Sequence, residues 1–207
     1  VTGIAPLTFK STKVIGLLKE DYSDIMFSSE ILGEMLGLEI EEGRFYDKND
    51  VSKKAEVVVV GNKIAIDYFG SPREAVGKKI TIDTVKFSVI GVTKGKGGGG
   101  MGGIDYDNYL FGPYTTGYIF NPEKKFVRLS VKADSEENIE QIKSDISKEF
   151  LKRYKEEEFS IVEPTELLSA ITSIFSVLNV VLVAIAAISL IVGGIGIMNI
   201  MYVTVSD

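Results

Sequence analysis

Residues 180–203 read VVLVAIAAISLIVGGIGIMNIMYV. Only Ser189 and Asn199 are clearly polar there, and no charged residue falls between Glu166 and Asp207. About 20 apolar residues cross the core of a bilayer. The buried helix of a soluble protein seldom has to be apolar on every side over such a length. The run predicts a transmembrane helix over 180–203.

The uncharged stretch is twice as long as a span requires. As one helix it would reach about 60 Å against a hydrocarbon slab of about 30 Å, so part of it belongs outside. Upstream, Ser169, Thr172, Ser173, Ser176 and Asn179 recur at helical spacing on one stripe. Leu168, Ile171, Phe175, Leu178 and Leu182 fall on the other face, which predicts an amphipathic stalk helix over 165–181. Pro164-Thr165-Glu166 suits a helix start, with Thr165 as N-cap and the acid beside the positive helix end. Inside the span Ser189 and Gly193 form a small-xxx-small pair, reinforced by Gly194 and Gly196. In lipid such residues let backbones approach closely, so they read as a packing face for another transmembrane helix.

Before the stalk, short strand and helix patterns alternate. Strands are expected at Lys13–Leu18, Glu56–Val60, Lys79–Asp83, Val85–Thr93, Asn108–Phe111 and Tyr118–Phe120. Ser28–Leu36 and Asn62–Phe69 read as helical. Strand Val127–Lys132, helix Ser135–Tyr154 and strand Phe159–Val162 follow as a βαβ-like unit feeding the stalk. The fold class is α+β.

Composition narrows the chemistry. The 207 residues carry a net charge of −6 and contain no Cys and no His. That excludes disulfides, thiol nucleophiles, Ser-His-Asp triads and zinc sites built on His or Cys. A nucleic-acid partner would need a concentrated basic face; here the one dense stretch, Lys148–Glu158, mixes both signs. No coherent catalytic set, metal site or cofactor motif is visible, and no enzyme is expected. The loop Gly95–Gly103 includes Gly97, Gly98, Gly99, Gly100 and Met101. It lacks the Gly-Lys-Ser/Thr of a P-loop and opens no helix. It reads as a mobile connection between strands, with contact to a partner or cargo as the alternative. Asp105 and Asp107 beside it lack the further oxygen ligands of a calcium loop. Tyr106, Tyr109, Tyr114 and Tyr118 read as strand and core residues. Val1 in place of an initiator Met, and an end just after the apolar run, suggest a piece of something longer.

Several strings in order resemble one family. They are Gly43-Arg44-Phe45-Tyr46 with Asp50, Glu56–Gly61, Tyr68-Phe69-Gly70, Val76–Ile80, Phe87–Val92 and Pro113-Tyr114-Thr115-Thr116. In the membrane run, Ile191–Met201 carries the glycines and Met198-Asn199. The chain resembles the MacB type of ABC transporter permease, within the FtsX-like superfamily that includes LolC and LolE. The resemblance implies a two-lobed extracytoplasmic domain. A βαβ-unit lobe would take 1–43 and 122–164, and an inserted, mainly β lobe 44–121. The second transmembrane helix would run inward, leaving Asp207 at the cytoplasmic face and residues 1–165 outside the cell membrane. It implies a homodimer driven by an ATP-binding subunit, sometimes with a membrane-fusion protein, exporting a drug, peptide or lipid-like cargo. Two other readings share these features: an FtsX-like regulator of an extracytoplasmic enzyme, and a membrane-anchored sensor or binding module.

Overall fold

The computed structural model describes residues 1–97 and 104–205, with side chains except at 164–170, 199–200 and 202–205. It divides into two units, 1–142 and 143–207.

The first unit is built on eight strands: β1 (Gly3–Ile15), β2 (Glu20–Ser28), β3 (Ile40–Gly43), β4 (Val57–Val60), β5 (Lys79–Ile82), β6 (Val85–Thr93), β7 (Tyr109–Pro113) and β8 (Arg128–Lys132). Pairings β1–β2, β2–β7, β7–β4, β4–β6, β6–β5 and β5–β1 close into a ring. The β2–β7 and β4–β6 pairs are parallel and the others antiparallel. β3 adds to β6, and β8 pairs with the N-terminal end of β1.

Alternation along the strands sorts the core into two layers. Ile25, Phe27, Val58, Val60, Phe87 and Leu110 belong to one cluster with Ile64, Tyr68 and Phe69 of α3 (Asn62–Phe69). The intervening Met26, Val59 and Phe111 belong to a second cluster with Leu32, Tyr46 and Val51. These come from α1 (Leu32–Met35), the following loop and α2 (Lys48–Ser52). Val58, Val59 and Val60 are all fully buried, which explains a run of valines without polar alternation.

Four local expectations change. The strand expected at Lys13–Leu18 is the end of a longer β1 whose chain reverses after Ile15, Gly16 N–H donating to Lys19 O at 2.9 Å. Ser28 closes β2, so the helix expected from it shrinks to α1; Gly37, at φ +60°, ends that helix. Tyr118–Phe120 is not a strand. Its amides fold back, Ile119 N–H to Thr116 O at 3.1 Å and Phe120 N–H to Gly117 O at 2.9 Å, extending the turn of α5 (Tyr114–Gly117). Phe159–Val162 is unpaired and forms no strand, although Phe159 has extended angles (φ −145°, ψ 159°). β1 and β2 are hydrogen-bonded to β5 and β7.

α4 (Pro72–Ala75) starts with Ser71 as its N-cap, and α6 spans Ile139–Phe150. In the second unit the chain passes a 3₁₀ turn at Glu156–Glu158 and enters α7, Pro164–Val205.

Candidate membrane helix and motif residues

α7 is one unbroken helix of 42 residues. Ile171–Met198, 28 residues, is long and apolar enough to cross a membrane, and none of its most apolar window is buried. A soluble core helix of that composition would be covered by protein. The stretch includes the stalk residues Ile171, Phe175, Leu178 and Leu182, all exposed. The Leu168 side chain lies outside the described residues. Ser189 Oγ donates to Ile185 O at 2.9 Å, so its hydroxyl is satisfied within the helix. At Gly193, Gly194 and Gly196 a Cβ would meet nothing within 4 Å. These small positions present open backbone.

Two of the motif strings of the first unit, Gly43–Tyr46 with Asp50 and Pro113–Thr116, meet at α2. Arg44 forks onto Asp50, Nη1–Oδ2 2.6 Å and Nη2–Oδ1 3.2 Å. The Arg44 guanidinium and the Asp47 amide hold the buried Asp50 carboxyl below its usual range, against the cost of burial. Asp47 caps α2 by accepting from Asn49 N–H at 2.8 Å and Asp50 N–H at 3.0 Å, and Asp50 Oδ2 returns the favour to Asp47 N–H at 3.0 Å. From more than 60 residues later in the sequence, Thr115 Oγ1 donates to Val51 O, and Thr116 Oγ1 to Ala55 O at 2.8 Å. Gly43 and Gly91 face each other across β3–β6: a Cβ on Gly43 would lie 2.2 Å from Ile90 O, and one on Gly91 2.2 Å from Arg44 O. These contacts tie Arg44, Asp50, Gly91, Thr115 and Thr116 together structurally. Sequence reading missed α2, although the acidic residue three positions after Asp47 is the signal of its cap.

The glycine loop is tied at its root. Asp107 accepts Lys96 N–H at 3.1 Å and Gly97 N–H at 3.0 Å, one on each oxygen. Lys96 Nζ donates to Leu36 O at 3.1 Å, just past α1. Asp105 caps the turn Tyr106–Asn108 through Asp107 N–H at 3.2 Å. Both carboxylates therefore organise backbone, and among the described residues no group of acids could hold a metal. Gly98, Gly99, Gly100 and Met101 lie outside the described residues. Tyr106 and Tyr109 pack edge to face, centroids 6.4 Å apart, against the second core cluster, and Tyr114 pairs with Tyr118 at 5.7 Å.

Residues 1–149 match the family model of the MacB-like periplasmic core domain. The chain belongs to that family. The macrolide export ATP-binding/permease protein MacB of Wolinella succinogenes is 35% identical over 168 residues, which is 80% of this chain and 26% of that protein. Its counterpart from Marinobacter nauticus is 36% identical over 170 residues, 81% of this chain and 26% of that one. The pyoverdine export ATP-binding/permease protein PvdT of Pseudomonas syringae pv. syringae is 30% identical over 173 residues, with the same 81% and 26%. The chain thus spans about a quarter of the length of these relatives. Among solved structures, the extracellular domain of the ABC-type transporter YknZ from Gram-positive bacteria shares the fold, with a TM-score of 0.56 at 19% identity over 68% of this chain and 70% of that one. So does the periplasmic region of MacB from Actinobacillus actinomycetemcomitans, with a TM-score of 0.55 at 19% identity over 75% of this chain and 78% of that one. The chain is therefore a MacB-like periplasmic core domain with one candidate membrane span in α7. Because α7 lies beyond the matched 149 residues, its reading rests on its own composition.

Proposed function

We propose that this chain is the extracytoplasmic domain and second transmembrane helix of an ABC-type exporter permease. α7 would couple ATP hydrolysis on the cytoplasmic side to movement of the outer domain. The observation that carries the reading is the continuity of α7. One helix without a break runs from the amphipathic stalk through the apolar span, so a displacement at one end is passed along it as a rigid body.

The register of α7 supports a single partner helix. At about 100° per residue, Ile171, Phe175, Leu178, Leu182, Ser189, Gly193 and Gly196 fall within about 40° of one line, while Thr172, Ser173, Ser176, Asn179 and Gly194 lie about 80° to 200° away. In water the face that needs cover is the apolar one; in lipid it is the small one. Here both occupy the same side, so one neighbouring helix can follow α7 from the stalk into the membrane.

The helix would run inward from the outer domain, within a homodimer. The relatives' names join ATP-binding and permease functions, and the ATP-binding partner here would sit on the same or a companion polypeptide. A membrane-fusion protein is a further candidate partner. Macrolide and pyoverdine in those names suggest amphiphilic small molecules, peptides or lipid-like compounds as cargo. Gly193→Leu in the assembled transporter, reconstituted in proteoliposomes, tests the coupling. Cargo movement per ATP hydrolysed should fall, and an unchanged ratio would remove Gly193 from the mechanism.

A further inference from the structure

The second unit shows how the start of α7 is held. Phe150, the last residue of α6, packs on Phe159 with ring centroids 5.3 Å apart. Lys143, two turns earlier on the same helix, pairs with Glu163 at 3.4 Å. Both charged side chains are largely covered, with 25% and 21% exposed. Glu163 immediately precedes Pro164, the first residue of α7.

The spacings match. Residues seven apart on a helix share a face and stand about 10.5 Å apart along the axis. Four steps from residue 159 to 163 reach up to about 13 Å when extended, as Phe159 is. The chain therefore leaves α6, turns through Lys155–Glu158 and runs back along the helix it came from. It touches that helix at two points before α7 begins. One contact would leave a pivot; two contacts a helical turn or more apart also resist rotation. Pro164 removes further freedom, because the residue before a proline is confined to extended angles.

We propose that Lys143–Glu163 and Phe150–Phe159 form a two-point clamp that fixes the direction in which α7 leaves α6. Lys143 and Glu163 are positioning residues, and opening their pair converts a stiff joint into a hinge. That this stiffness serves energy transmission rests on the function proposed above.

The test uses distance measurement. The chain has no cysteine, so Lys148→Cys on α6 and Ser176→Cys on α7 take spin labels at defined sites. In lipid nanodiscs, double electron–electron resonance should give one narrow distance distribution for the parent. Lys143→Glu or Glu163→Lys alone should lose that single narrow peak. The double variant, Lys143→Glu with Glu163→Lys, should recover it, which a merely misfolded protein would not do. Singles as narrow as the parent, or a double no narrower than the singles, would overturn the clamp. A transporter whose joint opens in the singles while export per ATP stays at the parent level would leave the clamp standing and remove its mechanical role.

Discussion

Arg44 and Asp50 form a bidentate pair, with Nη1–Oδ2 at 2.6 Å and Nη2–Oδ1 at 3.2 Å, six residues apart in sequence and on either side of the turn that starts α2. Asp50 is buried while Arg44 is half exposed. Removing the acid deletes both the fork and the reciprocal cap on Asp47 N–H. Asp50→Ala should therefore cost about 2–3 kcal/mol of stability, as for charged hydrogen bonds combined with a lost cap. Urea unfolding followed by tyrosine fluorescence in detergent would read this as a lower midpoint.

The same pair sets an acid limit. Asp50 has a folded pKa below its ordinary value, chiefly through the Arg44 hydrogen bonds. A depressed carboxyl contributes stability that is present above the unfolded pKa of about 3.9 and is lost as pH falls through the folded one. Unfolding midpoints should therefore drop as pH is lowered from 5 towards the acid range, and Asp50→Asn should flatten that decline. Asp21 and Glu149 are also lowered, by Lys19 and Lys152, but are exposed, so salt should weaken their share and spare that of Asp50.

Two glycines separate strain from crowding. Gly43 has φ +80° and Gly77 φ +83°, yet a Cβ on Gly43 would lie 2.2 Å from Ile90 O whereas one on Gly77 meets nothing within 4 Å. Gly77→Ala should cost about 1 kcal/mol from the left-handed angle alone. Gly43→Ala must also push β3 from β6 and should cost about 3 kcal/mol or more. Thermal unfolding of the two variants side by side measures the difference, and equal losses would contradict the close crossing.

Asp107 holds the root of the glycine loop through two amides. Asp107→Ala should speed hydrogen exchange at Lys96 and Gly97 by about tenfold, the equivalent of about 1.4 kcal/mol of local opening. Exchange at Val89, in the middle of β6, should not change.

Much of this was legible in the sequence where the period was strong. The uncharged run after Glu166 announced α7, and Asn62–Phe69 and the hairpin of β5 and β6 lie where their patterns put them. The long pairing of β1 with β2 was hidden. Their outer positions carry Lys, Glu, Asp and Tyr, and the ring closes through non-local parallel contacts that no local window reports. Phe159–Val162 has strand-like composition, but composition supplies no partner for its backbone. The family strings were visible as strings; that Arg44, Asp50, Thr115 and Thr116 meet around one short helix required the fold. The small positions of α7 are plain in the sequence, and the helix register separates Gly194 from the face that holds Ser189, Gly193 and Gly196.

The arrangement of an outer domain carried by a helix through lipid is tested most directly by thiol accessibility in intact cells. A membrane-impermeant maleimide is applied to the transporter carrying Lys78→Cys, exposed on the first unit, or Leu190→Cys, in the centre of the span. Lys78→Cys should be labelled at once from outside and Leu190→Cys should stay unlabelled until the membrane is dissolved. Labelling of Lys78→Cys only after the cells are opened, or of Leu190→Cys at the same rate from outside, would contradict it.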